Sequence, residues 1–322
     1  MKRYFGYIIA AAVLLVIAGT LFFFNYNKNK KSDEQILRIG IPNISPSAPL
    51  WVMNELDLMN KYLPNSRLEL IINGSGSALN EAMIANQIDG VVIDLINFLI
   101  GISRNVPYRI LTSMSYRCMS LQTNNPGIKN IYDVRSNHLI GLNSTTGTVA
   151  LMLHLTAEKF FGSYDALNSQ IVVINNDDIS LALANNVGIS LAFTDSTTRI
   201  LQNELGCPTI LEDTDLFEGH LFTHYVVFNE EFHAKNKELI NAFFLSLTEA
   251  VKLINSKDYR ALEIVSKNLG TDKDKFIALL DTDKLIYELN NFDSIDILTD
   301  MAKKIGLIST RKPLDQIVFK NE

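Results

Sequence analysis

Three short runs of small polar residues carry what chemistry this sequence offers: Asn43 to Pro49, Gly74-Ser75-Gly76-Ser77, and Asn143 to Thr148. Each stands where a strand-type run hands over to a helix-type run. The first turn of a helix has backbone N–H groups without internal partners, and the helix dipole makes that end positive. Glycine lets a guest approach the backbone, and Ser and Thr add hydroxyls. Such loops grip an anionic or strongly polar group; they break no bonds. One loop alone is ordinary helix capping, with Ser77 a natural N-cap. Three together point to a ligand crevice.

Four other residue sets invite a role. Asp94 and Asp195 end strand-type runs, and either hold a polar ligand group or bond to nearby backbone. Trp51, the single tryptophan, either covers a ligand or packs in a core. His220 and His224 would share one face of a strand, the beginning of a metal site. No neighbouring cysteine or paired acid completes it, and the spacing reads better as a hinge histidine and a core histidine. Cys118 and Cys207 read as two buried thiols, with one disulfide as the alternative in an exported body. No phosphate loop, nucleophile elbow or zinc-protease motif occurs. The sequence therefore predicts no catalytic residue, no metal and no cofactor.

The elements needed to hold these residues follow from periodicity. β-branched runs predict strands at Ile36–Ile41, Leu68–Ile72, Gly90–Ile93, Tyr108–Ser113, His138–Leu142, Gln170–Ile174, Ile189–Phe193 and His220–Phe228. Helix-type segments lie between them, among them Leu50–Asn60, Ala78–Asn86, Leu95–Ser103 and Val149–Phe161. Alternation of strand and helix predicts an α/β fold with parallel sheets covered on both faces. Ala182 to Asp195 echoes Ala82 to Asp94, which predicts two lobes of similar design. The end of the chain is helical, and the stripe Ile240, Phe243, Leu247, Ala250 and Ile254 reads as a packing surface.

The bulk numbers agree. A chain of 322 residues suits two domains. The net charge of −6 and the absence of a basic block past the N-terminal region speak against nucleic acid as a partner. Tyr4 to Phe24 runs without a charge, and about twenty residues at ~1.5 Å each cross a ~30 Å hydrocarbon layer. This predicts an N-terminal transmembrane helix that stays uncleaved, followed by a polar tether and a body outside the cytoplasm. A cleaved signal is the alternative.

The blocks RIGIPNISPSAPLW, GSGSALNEAMIANQIDGVVID, GIKNIYDVRSNHLIGLNSTTGT and THYVVFNEEFHAKNKELINAFFLSLTEAV occur in an order that resembles the substrate-binding proteins of ABC importers. The group is that of nitrate, sulfonate, taurine and thiamine precursors, and the likeness spans Leu37 to Leu307. It implies the type II periplasmic binding protein fold, two doubly wound α/β lobes joined by a two-strand hinge. Residues 36–115 and 225–322 would form the first lobe and 116–224 the second, after an anchor and tether over 1–35. It implies ligand contacts from Asn43, Ser45, Ser47, Ser75, Gly76, Asp94, Ser144, Thr145, Thr146 and Asp195, with His220 or Tyr225 near the hinge. A small solute, an ABC permease with its ATPase, and the membrane would be the partners. The pattern departs from that family at Asn86, at Gly188, in the proline-rich first loop and in lacking a lipid-anchoring cysteine. The candidate loops hold no Lys or Arg, which favours a zwitterion such as an aminosulfonate, or a nitrogen heterocycle on Trp51, over a multivalent anion. An enzyme of the thiamine-pyrimidine synthase type and a membrane-anchored sensor are the rival readings.

Overall fold

A computed structural model describes residues 34–73 and 76–320; the side chains of residues 76, 77, 176 and 177 are not described. The expected membrane helix, most of the tether, and Ser75 lie outside the described residues. No helix among the described residues is long and apolar enough to cross a membrane.

Strands β1 (Gln35–Ile41), β2 (Ser66–Ile72), β3 (Gly90–Asp94) and β4 (Tyr108–Arg117) open the chain. Helices α1 (Ala48–Glu55), α2 (Leu58–Tyr62), α3 (Gly76–Ile84) and α4 (Leu95–Ser103) alternate with them. The expected helix over Leu50–Asn60 is two helices, because Asp57 adopts a left-handed φ of 49° between them. The middle of the chain holds β5 (Met119–Thr123), β6 (Ile140–Leu142), α5 (Thr148–Phe161), β7 (Ile171–Val173), α6 (Asn176–Ala184), β8 (Leu191–Asp195), α7 (Ser196–Glu204) and β9 (Thr209–Glu212). Then come β10 (His224–Asn229), α8 (Glu230–Lys235), α9 (Lys237–Asn255), α10 (Tyr259–Leu269), α11 (Lys273–Asp281), β11 (Leu285–Tyr287), α12 (Asp293–Lys304) and α13 (Leu314–Ile317).

These strands form two sheets, ordered β11-β4-β10-β3-β1-β2 and β7-β6-β8-β5-β9. The two share one plan. Three parallel strands (β2-β1-β3, β7-β6-β8) are followed by an antiparallel strand (β10, β5) and then by two more strands in the first sheet (β4, β11) and one in the second (β9). The antiparallel strand in each sheet sits beside one of the two chain passages between them. β5 follows β4 across a single residue, Cys118, and β10 is where the chain comes back. The chain thus passes twice between the sheets, and no strand is shared.

Burial of both faces explains the apolar runs. Successive side chains of a strand alternate between faces. Val91, Ile93, Tyr225 and Val227 thus pack into a cluster that continues through Leu121, Leu142 and Phe193 of the second sheet. Val92, Val226 and Phe228 face a second cluster built by α1, α9 and α10, including the foreseen stripe Ile240, Phe243, Leu247, Ala250 and Ile254. Trp51 belongs to this second core at 3% exposure. Cys118 and Cys207 are both buried and unbonded.

Two expectations need correction. The strand placed over His220–Phe228 begins at His224, so His220 and His224 do not share a strand face. The strand placed over Tyr108–Ser113 runs on to Arg117. The added residues bring Ser115 and Arg117, which with Ser113 are polar and yet buried.

Candidate functional site

That polar continuation lies at the junction between the two sheets, where Arg117 pairs with Asp195 of the second sheet. The register aligns Asp94 of β3 with His224 of β10, His224 with Ser115 of β4, and Ser115 with Tyr287 of β11. Four polar side chains thus cross four neighbouring strands in one row, and Arg117 stands two residues beyond Ser115 on the same strand. The row lies where the parallel strands end and their helices begin, the place where open α/β sheets hold ligands.

The second lobe supplies the opposite wall. Asp195 ends β8, and its Oδ1 caps α7 by accepting from the N–H groups of Thr197 (2.8 Å) and Thr198 (3.3 Å). Its Oδ2 accepts from Nη1 of Arg117 at 2.6 Å, an ion pair with both side chains at a tenth exposure or less. Burial pushes the Asp195 carboxyl up, but the Arg117 charge and the bonds from Thr197 together outweigh it and hold the group below the usual range. Ser45 Oγ meets Thr197 Oγ1 at 2.9 Å, and the Ser45 carbonyl accepts from the Tyr287 hydroxyl at 2.6 Å.

Asp94 ends β3 in the same way. Its Oδ1 accepts from the N–H groups of Ile96 (2.9 Å) and Asn97 (3.2 Å), the cap of α4. Its Oδ2 reaches across the crevice to the start of α5. There it accepts from the Thr148 N–H at 3.1 Å and from the Thr148 hydroxyl. Burial raises this carboxyl above the usual range against those hydrogen bonds. His224 is buried, its Nδ1 is 3.1 Å from Thr223 Oγ1, and burial with the nearby Arg117 holds the ring neutral.

Three polar atoms here are buried and have no partner: Ser115 Oγ, Arg117 Nε and Ser196 Oγ. Buried polar groups in native proteins are nearly always paired, and an orphan costs roughly 1–3 kcal/mol. Arg117 Nε can only donate, and the two hydroxyls can donate or accept.

The other expected site residues lie elsewhere or on the rim. Ser47 is buried and donates to the Pro42 carbonyl at 2.6 Å. The Tyr225 hydroxyl donates to the Phe222 carbonyl within the core at 3.1 Å. His220 is exposed and packs on the Tyr116 ring at 4.5 Å between centroids. Asn43, Thr145 and Thr146 are exposed, and Ser144 Oγ closes its own turn by accepting from the Thr146 N–H at 3.1 Å. Gly76 and Ser77 open α3. Of the expected set, Ser45, Asp94 and Asp195 make contacts across the junction between the two sheets. Arg117, Ser115, Ser196 and Tyr287 escaped the sequence reading, which had named His224 only as a hinge or core histidine. The one signal was the SYR ending of an apolar strand, an arginine where the run should simply have stopped. Among the described residues no group of three or more His, Cys, Asp or Glu could hold a metal ion.

Known structures share this architecture. The periplasmic aliphatic sulphonate binding protein SsuA from Escherichia coli superposes with a TM-score of 0.73 at 15% identity, over 89% of this chain and 93% of that one. The ligand-binding component of an ABC-type import system from Staphylococcus aureus, solved with zinc bound, gives 0.72 at 16%, over 88% and 96%. The periplasmic nitrate-binding protein NrtA from Synechocystis gives 0.70 at 12%, over 89% and 86%. These neighbours come from the group that the sequence blocks resemble, and at such identities the likeness establishes the periplasmic binding protein fold. No family profile and no curated protein sequence matches the chain.

Proposed function

We propose that this chain is the solute-binding component of an ABC importer. It captures a small polar solute between its lobes, outside the cytoplasm, and performs no chemistry. One observation carries the reading: Ser115 Oγ, Arg117 Nε and Ser196 Oγ are buried without a partner beside the Arg117–Asp195 pair that joins the two sheets. A guest bonded to both walls favours the closed form over the open one, and a permease reads that difference.

The solute class follows from the groups on offer. Arg117 and the two hydroxyls suit acceptor oxygens, the head of a sulfonate or carboxylate. A zwitterion of the aminosulfonate kind fits better than a nitrogen heterocycle, because the Trp51 ring that would stack on a heterocycle is enclosed in a core. The apolar segment Tyr4 to Phe24 would tether the body to the membrane.

A thermal-shift screen with sulfonates, nitrate, amino acids and pyrimidines tests this. A true solute at ~100 times its Kd adds roughly 2.7 kcal/mol of stability. The double substitution S115A/S196A should remove that shift while leaving the unliganded melting point equal or higher, since it deletes two orphan hydroxyls. A solute whose shift survives the double substitution would move the site elsewhere.

A further inference from the structure

We propose that this chain pairs with a second copy of itself along β2, the outer strand of the first sheet. The two β2 strands run antiparallel about a two-fold axis between Leu68 and its counterpart. This joins the first sheets of two copies into one continuous sheet of twelve strands, six from each. The pairing is independent of solute capture at the junction between the lobes.

β2 pairs only with β1, in parallel. The bonds at the two ends of that ladder show which residues face β1: the Gln35 N–H donates to the Asn65 carbonyl (2.9 Å), and the Asn73 N–H to the Ile41 carbonyl (3.0 Å). Odd-numbered residues of β2 therefore turn their backbone groups inward, and Ser66, Leu68, Leu70 and Ile72 turn theirs outward. The Ser66 N–H is taken by the Leu63 carbonyl at 3.1 Å, while Leu68 and Leu70 meet no backbone partner on that side among the described residues. A cavity of about 570 Å³ opens along this edge, lined by Leu68, Glu69, Leu70 and Ile72 against Trp51 and Asn54 of α1. Ile72, at its end, is 61% exposed. A bare strand edge is a template for another strand. The charges choose which one. Arg67 and Glu69 stand two residues apart and so share a face, with side chains 42% and 45% exposed. Setting Leu68 against Leu68 of the second copy places Arg67 opposite Glu69, and Glu69 opposite Arg67. The same register sets outward-facing residues against each other, Leu68 with Leu68 and Leu70 with Ser66, as an antiparallel ladder requires. The charged pairs then fall at the positions between the hydrogen-bonded pairs, where side chains come closest, and opposite charges there stabilise while like charges repel. In the single chain Arg67 turns instead to Glu34 at 3.2 Å and Glu69 at 3.5 Å, exposed ion pairs that cost little to exchange.

Sedimentation of the full chain in detergent, over a range of concentrations, would compare wild type, R67E, E69R and the double swap R67E/E69R, after circular dichroism has checked each fold. Wild type should form a dimer as concentration rises. R67E or E69R alone sets like charges opposite each other twice and should weaken the dimer about tenfold. The double swap restores both opposite-charge pairs and should recover wild-type association. An equimolar mixture of the R67E and E69R chains should recover it too, as mixed dimers. The Leu68 and Leu70 amides should exchange with solvent more slowly at concentrations where the dimer forms. A wild-type monomer at every concentration overturns the proposal. A dimer that ignores both single changes, or that the double swap does not recover, also overturns it and moves the contact elsewhere, to the apolar N-terminal segment for one. Slow Leu68 and Leu70 amides in a monomer would mean that the chain covers its own edge, and would overturn it as well.

Discussion

Asp94 and Asp195 are the same device made twice. Each ends the third parallel strand of its sheet and each caps the next helix with Oδ1; Asp195 is buried and Asp94 is partly buried. They differ in what Oδ2 meets. Asp195 finds a full positive charge in Arg117, and Asp94 finds the uncharged donors of Thr148. One carboxyl is held below its usual range and the other above it, although burial pushes both upward. The pair teaches that capping decides where a carboxylate sits, and the opposite wall of the crevice decides what its charge is worth.

The largest test removes the charged partner. D195A takes away a helix cap and leaves Arg117 buried without a counter-ion. Removing one member of a buried ion pair typically costs about 3–5 kcal/mol. Urea unfolding should show a loss of that order, and R117M in the same chain should recover much of it. A loss under about 1 kcal/mol, or no recovery in the double variant, would erase the contrast. D94A strands no charge, so its loss should stay near the ~1 kcal/mol of a missing N-cap.

The pH dependence should separate the two by sign. For Asp195 the folded form binds fewer protons than the unfolded chain below about 3.9. Its contribution is present above that value and is lost as pH falls through the lower folded value. For Asp94 the folded form holds its proton to higher pH, so stability falls as pH rises from about 3.9 through the raised folded value. D195N should therefore flatten the acid limb of the melting curve, and D94N should remove a decline on the other side. Variants that bend the curve in the same direction would break the comparison. His224 adds a term of its own. Its folded value lies well below the ordinary histidine value, so its contribution is present above about 6.5 and is lost as pH falls below it. H224Q should weaken that loss, by less than the Asp195 effect.

The same contrast explains what the sequence made legible. Caps are local: a carboxylate or a hydroxyl two or three residues before free N–H groups can be read from neighbours in the chain. The repeat of Ala82–Asp94 in Ala182–Asp195 was visible for that reason, as were eight strands and most helices. The site was harder because its partners are distant in sequence. Arg117 meets Asp195 78 residues on, and Asp94 meets Thr148 54 residues on. Ser113, Ser115 and Arg117 interrupt an apolar pattern, so β4 read as ending at Ser113, five residues after it began. β5, β9 and β11 are short and lie against strands from elsewhere in the chain, and periodicity gave no sign of them. The glycine-serine and Ser-Thr-Thr loops drew attention because their chemistry is displayed locally. Yet Ser144 and Thr146 bond within their own turn, and the buried orphan donors lie on a strand and at the first position of α7.

The smallest effect should come from the outer rim, where the same two lobes are also tied by charge. Lys275 of α11 pairs with Glu204 of α7, and both side chains are near half exposure, 46% and 45%. This tie bridges the gap that Arg117 and Asp195 bridge deeper in, so geometry alone would rank the two as equals. Solvent does not. Exposed ion pairs contribute on the order of 0.2–1 kcal/mol, screened further by salt, because each charge is nearly as well hydrated when apart. K275Q should lower the unfolding free energy in urea by no more than about 0.5 kcal/mol, and the loss should vanish in roughly 0.5–1 M salt, where the Debye length falls to a few ångströms. A loss approaching that of D195A would mean that the lobes are held shut mainly at their rim, and the buried crevice would then be too weakly closed to depend on its guest.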